Sequence, residues 1–171
     1  MTQPIFLIGP RGCGKTTVGH ALARARHFQF SDTDHRLQAH EQRTVAEIVQ
    51  AEGWARFREL ETLSLKAVTL PNTVIATGGG IVLREENMTA LRRSGFVCFL
   101  DRGAAEIAEG LDISGRPLLR EGREKIYRLA RERDALYRKY ADVVVSEKTP
   151  EAAAEAVLYA LAAAEPEKGE M

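Results

Sequence analysis

The stretch Gly9-Pro10-Arg11-Gly12-Cys13-Gly14-Lys15-Thr16 limits the possible folds more than any other part of this chain. It fits the pattern G-x4-G-K-[ST]. A short apolar run, Ile5 to Ile8, precedes it. A stretch of helical periodicity, Lys15 to Arg26, follows, with Val18, Ala21, Leu22 and Ala25 on one side. Strand, glycine loop and helix in that order make a phosphate-binding loop. The glycines let the backbone curl so that successive N–H groups face phosphate oxygens. The helix that starts there adds the positive end of its dipole. In this pattern Lys15 reaches the β- and γ-phosphates and the Thr16 hydroxyl is a ligand for Mg²⁺. Gly12, Cys13, Gly14, Lys15, Thr16 and Thr17 are the expected ATP-contacting residues. For Arg11, phosphate contact, substrate contact and simple solvation all stay open.

An apolar run that ends in glycine reads as a strand buried on both faces, as in a parallel sheet. Further short strands are expected at Phe28 to Phe30, Thr73 to Ala76, Phe96 to Leu100 and Asp142 to Ser146. A helix is expected after Ser31-Asp32-Thr33-Asp34, reaching about Glu41. Thr44-Val45-Ala46-Glu47 matches a capping box and opens another, which runs to about Leu70 with a break at Gly53. Glu85 to Arg93, Ala104 to Leu111, Glu124 to Tyr140 and Pro150 to Ala163 complete the set. Strands alternating with helices predict an α/β fold of the P-loop NTPase type, three layers (α/β/α) around a five-stranded parallel sheet. Gly, Pro, Ser and charges without periodicity at Asp112 to Gly122 predict a mobile lid, about residues 112–123. One domain is expected over 1–164, with 165–171 as a frayed tail. A chain of 171 residues is about one domain. At that size no disulfide or metal staple is required.

Charge balance narrows the partners. Lys plus Arg and Asp plus Glu each number 24. There is no global basic field for nucleic acid, so an anionic substrate must be met by locally placed Arg and Lys. Cys13 and Cys98 lack metal-ligand spacing and read as reduced thiols in a cytoplasmic protein. The N-terminus has no basic n-region, and no apolar stretch approaches the roughly 18 residues of a membrane span. A monomer acting on small molecules, with no nucleic-acid or membrane partner, is the expectation.

In open parallel sheets, ligands bind beyond the carboxyl ends of the strands. Asp32 and Asp34 follow the second strand, and Gly78, Gly79 and Gly80 follow the third, so both groups converge on the phosphate loop. Asp32 is suited to hold Mg²⁺ through water. Asp34 is suited to orient a hydroxyl or take its proton. Both are equally suited to cap a helix. Three glycines allow a ligand to approach the backbone closely, or simply make a turn. Arg58 and Glu61, three apart, share a helix face as an anion site or as a surface ion pair. Arg133 lies in the alternating run Arg131-Glu132-Arg133-Asp134 and by periodicity is a solvated helix residue.

Six ordered motifs carry a family likeness: GPRGCGKTTVG, the DTD at 32–34, FRELE at 57–61, ATGGGIV at 76–82, GRPLL at 115–119 and RDALY at 133–137. From about Ile5 to Ala163 the chain resembles the shikimate kinase family, most of all its enterobacterial type II branch. The resemblance implies an NMP-kinase-like core with a lid, and phosphoryl transfer from ATP to shikimate. It implies that Asp34, Arg58, Glu61, Gly79, Gly80 and Arg133 bind shikimate. It makes Lys15, Asp34 and a lid residue, Arg116, catalytic, with Arg116 also touching ATP, and assigns Thr16 and Asp32 to Mg²⁺. Shikimate carries one carboxylate and three hydroxyls, and Arg forks suit the former. One departure stands out. The family's adenine-stacking Arg–Leu pair aligns with Gly110-Leu111, so that contact is absent or moved. A gluconate- or nucleotide-type kinase, or a nucleotide-binding regulator without catalysis, would share the loop but not the full motif set.

Overall fold

The computed structural model describes residues 2–103 and 120–165. The expected helix at Ala104 to Leu111, the Gly110-Leu111 pair, Arg116, most of the lid and residues 166–171 lie outside the described residues.

Five strands form one parallel sheet: β1 (Ile5–Ile8), β2 (Gln29–Asp32), β3 (Thr73–Ala76), β4 (Phe96–Leu100) and β5 (Val143–Val145), in the order β2-β3-β1-β4-β5. The helices are α1 (Lys15–Arg26), α2 (Thr33–Glu41), α3 (Val45–Val68), α4 (Glu85–Ser94), α5 (Arg120–Tyr140) and α6 (Pro150–Ala164), with a 3-10 turn at Ile81–Leu83. Side chains alternate across a strand, and β1 shows what this does. Ile5 and Leu7 pack with Val18 and Leu22 of α1 and with Val157 and Leu161 of α6. Phe6 and Ile8 pack on the opposite face with Leu65 of α3, Met88 and Leu91 of α4 and Tyr137 of α5. All four β1 residues are fully buried, each worth about 1.5–3 kcal/mol of apolar burial. A smaller cluster of Leu37, Ile48, Phe57 and Leu60 joins α2 to α3.

Of the boundaries that differ from expectation, two are larger than a residue or two at an element's end or bear on the site. The second strand runs Gln29–Asp32 rather than Phe28 to Phe30, because Ser31 and Asp32 pair with Ile75 and Ala76 of β3. Ladder pairing overrides the weak strand preference of Ser and Asp. Consequently α2 follows Asp32 with no intervening loop. The fifth helix begins at Arg120, so residues 120–123, expected in the lid, are helical. Gly53 breaks α3 as expected, at φ 86°, ψ 169°, a conformation open essentially to glycine alone.

Gly95 joins α4 to β4. A Cβ there would run into the carbonyl oxygen of Pro4, which accepts the Phe96 N–H at 3.0 Å. The β1–β4 register, Ile5 opposite Phe96, leaves that backbone no room to yield. Gly95→Ala is expected to destabilise by about 1–3 kcal/mol. At this chain size a thermal melt should register about 2–4 °C for each kcal/mol, and an unchanged melting temperature would contradict the packing.

Candidate active site

The phosphate loop leaves β1 through three glycines at positive φ: Gly9 at 148°, Gly12 at 82° and Gly14 at 94°. Gly9 has no room for a side chain, since a Cβ would lie 2.8 Å from Cys13 Sγ and 3.0 Å from Leu100 O. Gly14 is the N-cap of α1, with no side chain closing the helix start, so the free end of α1 points into the loop. The Lys15 ammonium donates to Gly9 O at 2.6 Å and Pro10 O at 2.9 Å.

Asp32 serves two partners. Its Oδ1 accepts the His35 N–H at 3.0 Å and caps α2, while its Oδ2 accepts from Thr16 Oγ1 at 3.3 Å. Capping and proximity to the phosphate loop thus fall on the same carboxylate. Asp34 does not cap. It sits in the first turn of α2, and its buried Oδ1 hydrogen-bonds to nothing among the described residues. Burial pushes the Asp34 carboxyl above its usual range and the nearby Asp32 charge adds to this, against the opposing pull of Lys15, Arg58 and Arg11.

Opposite Asp34 lies an ion pair on α3. Arg58 donates to Glu61 Oε1 at 2.8 Å, and the Glu61 side chain is 1% exposed. The Arg58 guanidinium lies 5.4 Å from the Trp54 ring and 5.1 Å from that of Phe57. The pair thus joins a buried carboxylate to a partly buried guanidinium rather than lying on the open surface. Burial raises the Glu61 carboxyl, opposed chiefly by Arg58, with Arg133 also lowering it. Arg133 is half-buried and close enough to act on both Glu61 and Tyr137, so α5 turns it toward the site rather than to bulk solvent.

The Thr77-Gly78-Gly79-Gly80 loop closes the group. A Cβ on Gly78 would meet Asp34 Oδ1 at 2.8 Å and Glu61 Oε2 at 2.9 Å. On Gly80 it would overlap the Arg58 guanidinium, and on Gly79 it would stand 3.3 Å from Arg11 N. These positions are glycine because charged side chains and the phosphate loop occupy the adjoining space. Gly12 to Thr17, Asp32, Asp34, Arg58, Glu61, Gly79, Gly80 and Arg133 are thus brought together, while Arg116 lies outside the described residues.

Sequence reasoning missed a supporting layer. Thr33, fully buried, accepts the Gly78 N–H at 3.2 Å. Behind Arg58, Arg84 donates to Arg58 O and to Thr62 Oγ1, and the Thr62 hydroxyl reaches Asn87 Oδ1 at 2.9 Å. Tyr137 donates its hydroxyl to Gly79 O at 2.6 Å. Only the four-residue spacing of Arg133 and Tyr137 hints at a shared face.

A nucleotide-type loop lies beside a group of two arginines and two carboxylates, of which Glu61 is fully buried. Residues 11–163 match the sequence model of the family described as shikimate kinase. The chain belongs to the shikimate kinase family. "Shikimate kinase 2" of Enterobacter sp. (strain 638) is 49% identical, over 94% of this chain and 97% of that protein. The shikimate kinase of Acinetobacter baumannii, solved in complex with shikimate, superposes with a TM-score of 0.87 at 29% identity, covering 96% of each chain. That of Aquifex aeolicus gives 0.81 at 36% identity, over 93% of this chain and 96% of the other.

The buried Asp34 makes a stability prediction for this family member. A carboxyl with a raised folded pKa binds its proton more tightly folded than unfolded. Its contribution therefore favours the fold at low pH and is lost as pH rises through the folded value. Asp34→Asn should melt higher than the parent at pH 7, by at least ~2 °C. The gain should shrink as pH falls toward the ordinary carboxylate range, about pH 4, because protonation of the parent carboxyl removes the buried charge. A variant that melts lower at pH 7 would overturn the electrostatic account.

Proposed function

We propose that this chain transfers the γ-phosphoryl group of ATP to the 3-hydroxyl of shikimate, giving ADP and shikimate 3-phosphate on the route to chorismate and the aromatic amino acids. The observation that carries the proposal, beside family membership, is the Asp34 carboxylate: its buried Oδ1, unpartnered among the described residues, lies between the phosphate loop and the Arg58–Glu61 pair. A substrate hydroxyl there would satisfy that oxygen and be oriented for attack.

In this reading the loop N–H groups and the start of α1 hold the phosphates. Lys15 exchanges its two loop carbonyls for phosphate oxygens and neutralises charge that develops on the transferring group. Asp34 orients the hydroxyl and takes its proton, a task that a raised pKa suits. Arg58 and Arg133 grip the carboxylate, with Glu61 holding Arg58 in place and facing a ring hydroxyl. Gly79 and Gly80 offer backbone N–H groups. Arg116 is assigned to the phosphates by family likeness alone. Positioning and electrostatics supply most of the rate.

Thr16 Oγ1 and Asp32 Oδ2, 3.3 Å apart, are hard oxygen donors of the kind that suit Mg²⁺, which keeps several waters and takes phosphate oxygens as ligands. These two residues would hold it, Asp32 through water, and the ion would supply charge neutralisation at the β- and γ-oxygens. No described helix is long and apolar enough to cross a membrane. Cys13 and Cys98 are both buried and free, in keeping with the cytoplasm as the proposed compartment.

A coupled ADP assay tests the function. Turnover is expected with shikimate and not with gluconate or nucleoside monophosphates, and a shikimate rate equal to the buffer rate would refute it. For the carboxylate grip, Arg58→Ala removes a charge-assisted bond worth about 1.5–3 kcal/mol. The KM for shikimate should rise about 10- to 100-fold while that for ATP stays within about twofold. Equal effects on both substrates would count against the assignment.

A further inference from the structure

We propose that Tyr137 is a positioning residue for the acceptor site: its hydroxyl holds the Gly79–Gly80 peptide in one fixed arrangement. The inference rests on the function proposed above, and it concerns a residue that touches no substrate.

Consider where the polar groups of the glycine loop go. The Gly78 N–H donates to Thr33 Oγ1 at 3.2 Å. The Gly78 carbonyl accepts from Ile81 N and the Gly80 carbonyl from Leu83 N, each at 3.1 Å. The remaining carbonyl, of Gly79, accepts from the Tyr137 hydroxyl at 2.6 Å. All three carbonyls are thus committed to the protein. The N–H groups of Gly79 and Gly80 donate to no described residue. The loop therefore turns its acceptors inward and keeps two donors, the polarity an anionic or hydroxyl-bearing ligand requires.

The Gly79 carbonyl and the Gly80 N–H belong to one peptide. That peptide is trans and planar, so the two groups point in opposite directions. Fixing the carbonyl against Tyr137 fixes the N–H away from α5. Glycine gives this peptide no resistance of its own to rotation, so an external anchor is needed. Tyr137 is well suited to be that anchor. It is fully buried, and its ring stacks on Phe99 of β4 with centroids 5.1 Å apart. Burial pushes its hydroxyl up to about 12, so it stays a donor across the working pH range.

Arg133 lies one turn earlier on α5, and its charge opposes the effect of burial on the Tyr137 hydroxyl. One phenol thereby ties α5, the helix that carries Arg133, to the loop at the end of β3.

Tyr137→Phe tests this, since it keeps the ring and its stacking on Phe99. The KM for shikimate should rise about tenfold, with the KM for ATP within about twofold. In the substrate-free protein, the backbone amide resonances of Gly79 and Gly80 should shift or broaden. Leu161→Ala, in the core cluster on the opposite face of the sheet, should lower the melting temperature while leaving the KM for shikimate within about twofold. Tyr137→Phe with unchanged glycine amides and unchanged KM would overturn the proposal, as would an equal KM rise in Leu161→Ala. If the parent protein does not phosphorylate shikimate, the functional reading fails, and the glycine amides still decide the positioning role.

Discussion

One threonine ties the two halves of the site together. Thr77 donates both its backbone N–H, at 3.1 Å, and its hydroxyl, at 2.9 Å, to the carbonyl of Leu7. Leu7 is fully buried in the central strand, and Thr77 is the last residue before the glycine loop. The phosphate loop and the Gly78–Gly80 loop therefore leave the sheet from adjoining, locked strand ends. Gly79 comes so near the phosphate loop that a Cβ there would stand 3.3 Å from Arg11 N. Strand β1 cannot shift to relax this closeness, because β3 and β4 pair with it on both edges and helices cover both faces. Rigid strand ends of this kind suit a reaction in which placement of two substrates supplies most of the acceleration.

The electrostatics follow from the same closeness. Asp34 and Glu61 face each other across Gly78, and each is driven upward in pKa mainly by burial. Arg58, Arg133, Lys15 and Arg11 offset part of that cost. Buried charges on this scale do little for stability, because desolvation opposes their attraction. A carboxylate with a raised pKa and a free oxygen is a better proton acceptor than one already satisfied. Stability lost at such a position is the usual accompaniment of a working site.

Much of the fold was legible. Strands β3 and β4 were located to the residue, since each is a short apolar run between turn residues. Thr44 caps α3 by accepting the Glu47 N–H at 3.1 Å, as its local spacing indicated. The second strand was misjudged, because Ser31 and Asp32 are drawn into the ladder by a partner some 44 residues away, Ile75 and Ala76. Arg133 was equally hidden. Its neighbours Arg131 and Arg128 have the same chemistry, and periodicity alone does not say which of them faces a pocket. Only family likeness singles out Arg133, and in the fold it is half-buried on α5 near Glu61.

By itself the sequence determined the phosphate loop, the α/β alternation and the family, because each depends on residues near one another in the chain or on motifs in fixed order. Glycine spacing dictates the curl of the loop, and apolar runs dictate buried strands. Tertiary structure alone decided which polar atoms are spent and which are kept. Asp32 turned out to cap a helix while also reaching Thr16, and Asp34 was left with an oxygen unpartnered. The hydroxyl of Tyr137 was committed to a carbonyl 58 residues distant. Such pairings arise only when the sheet has closed, since hydrogen-bond partners are chosen by proximity in space and not by position along the chain.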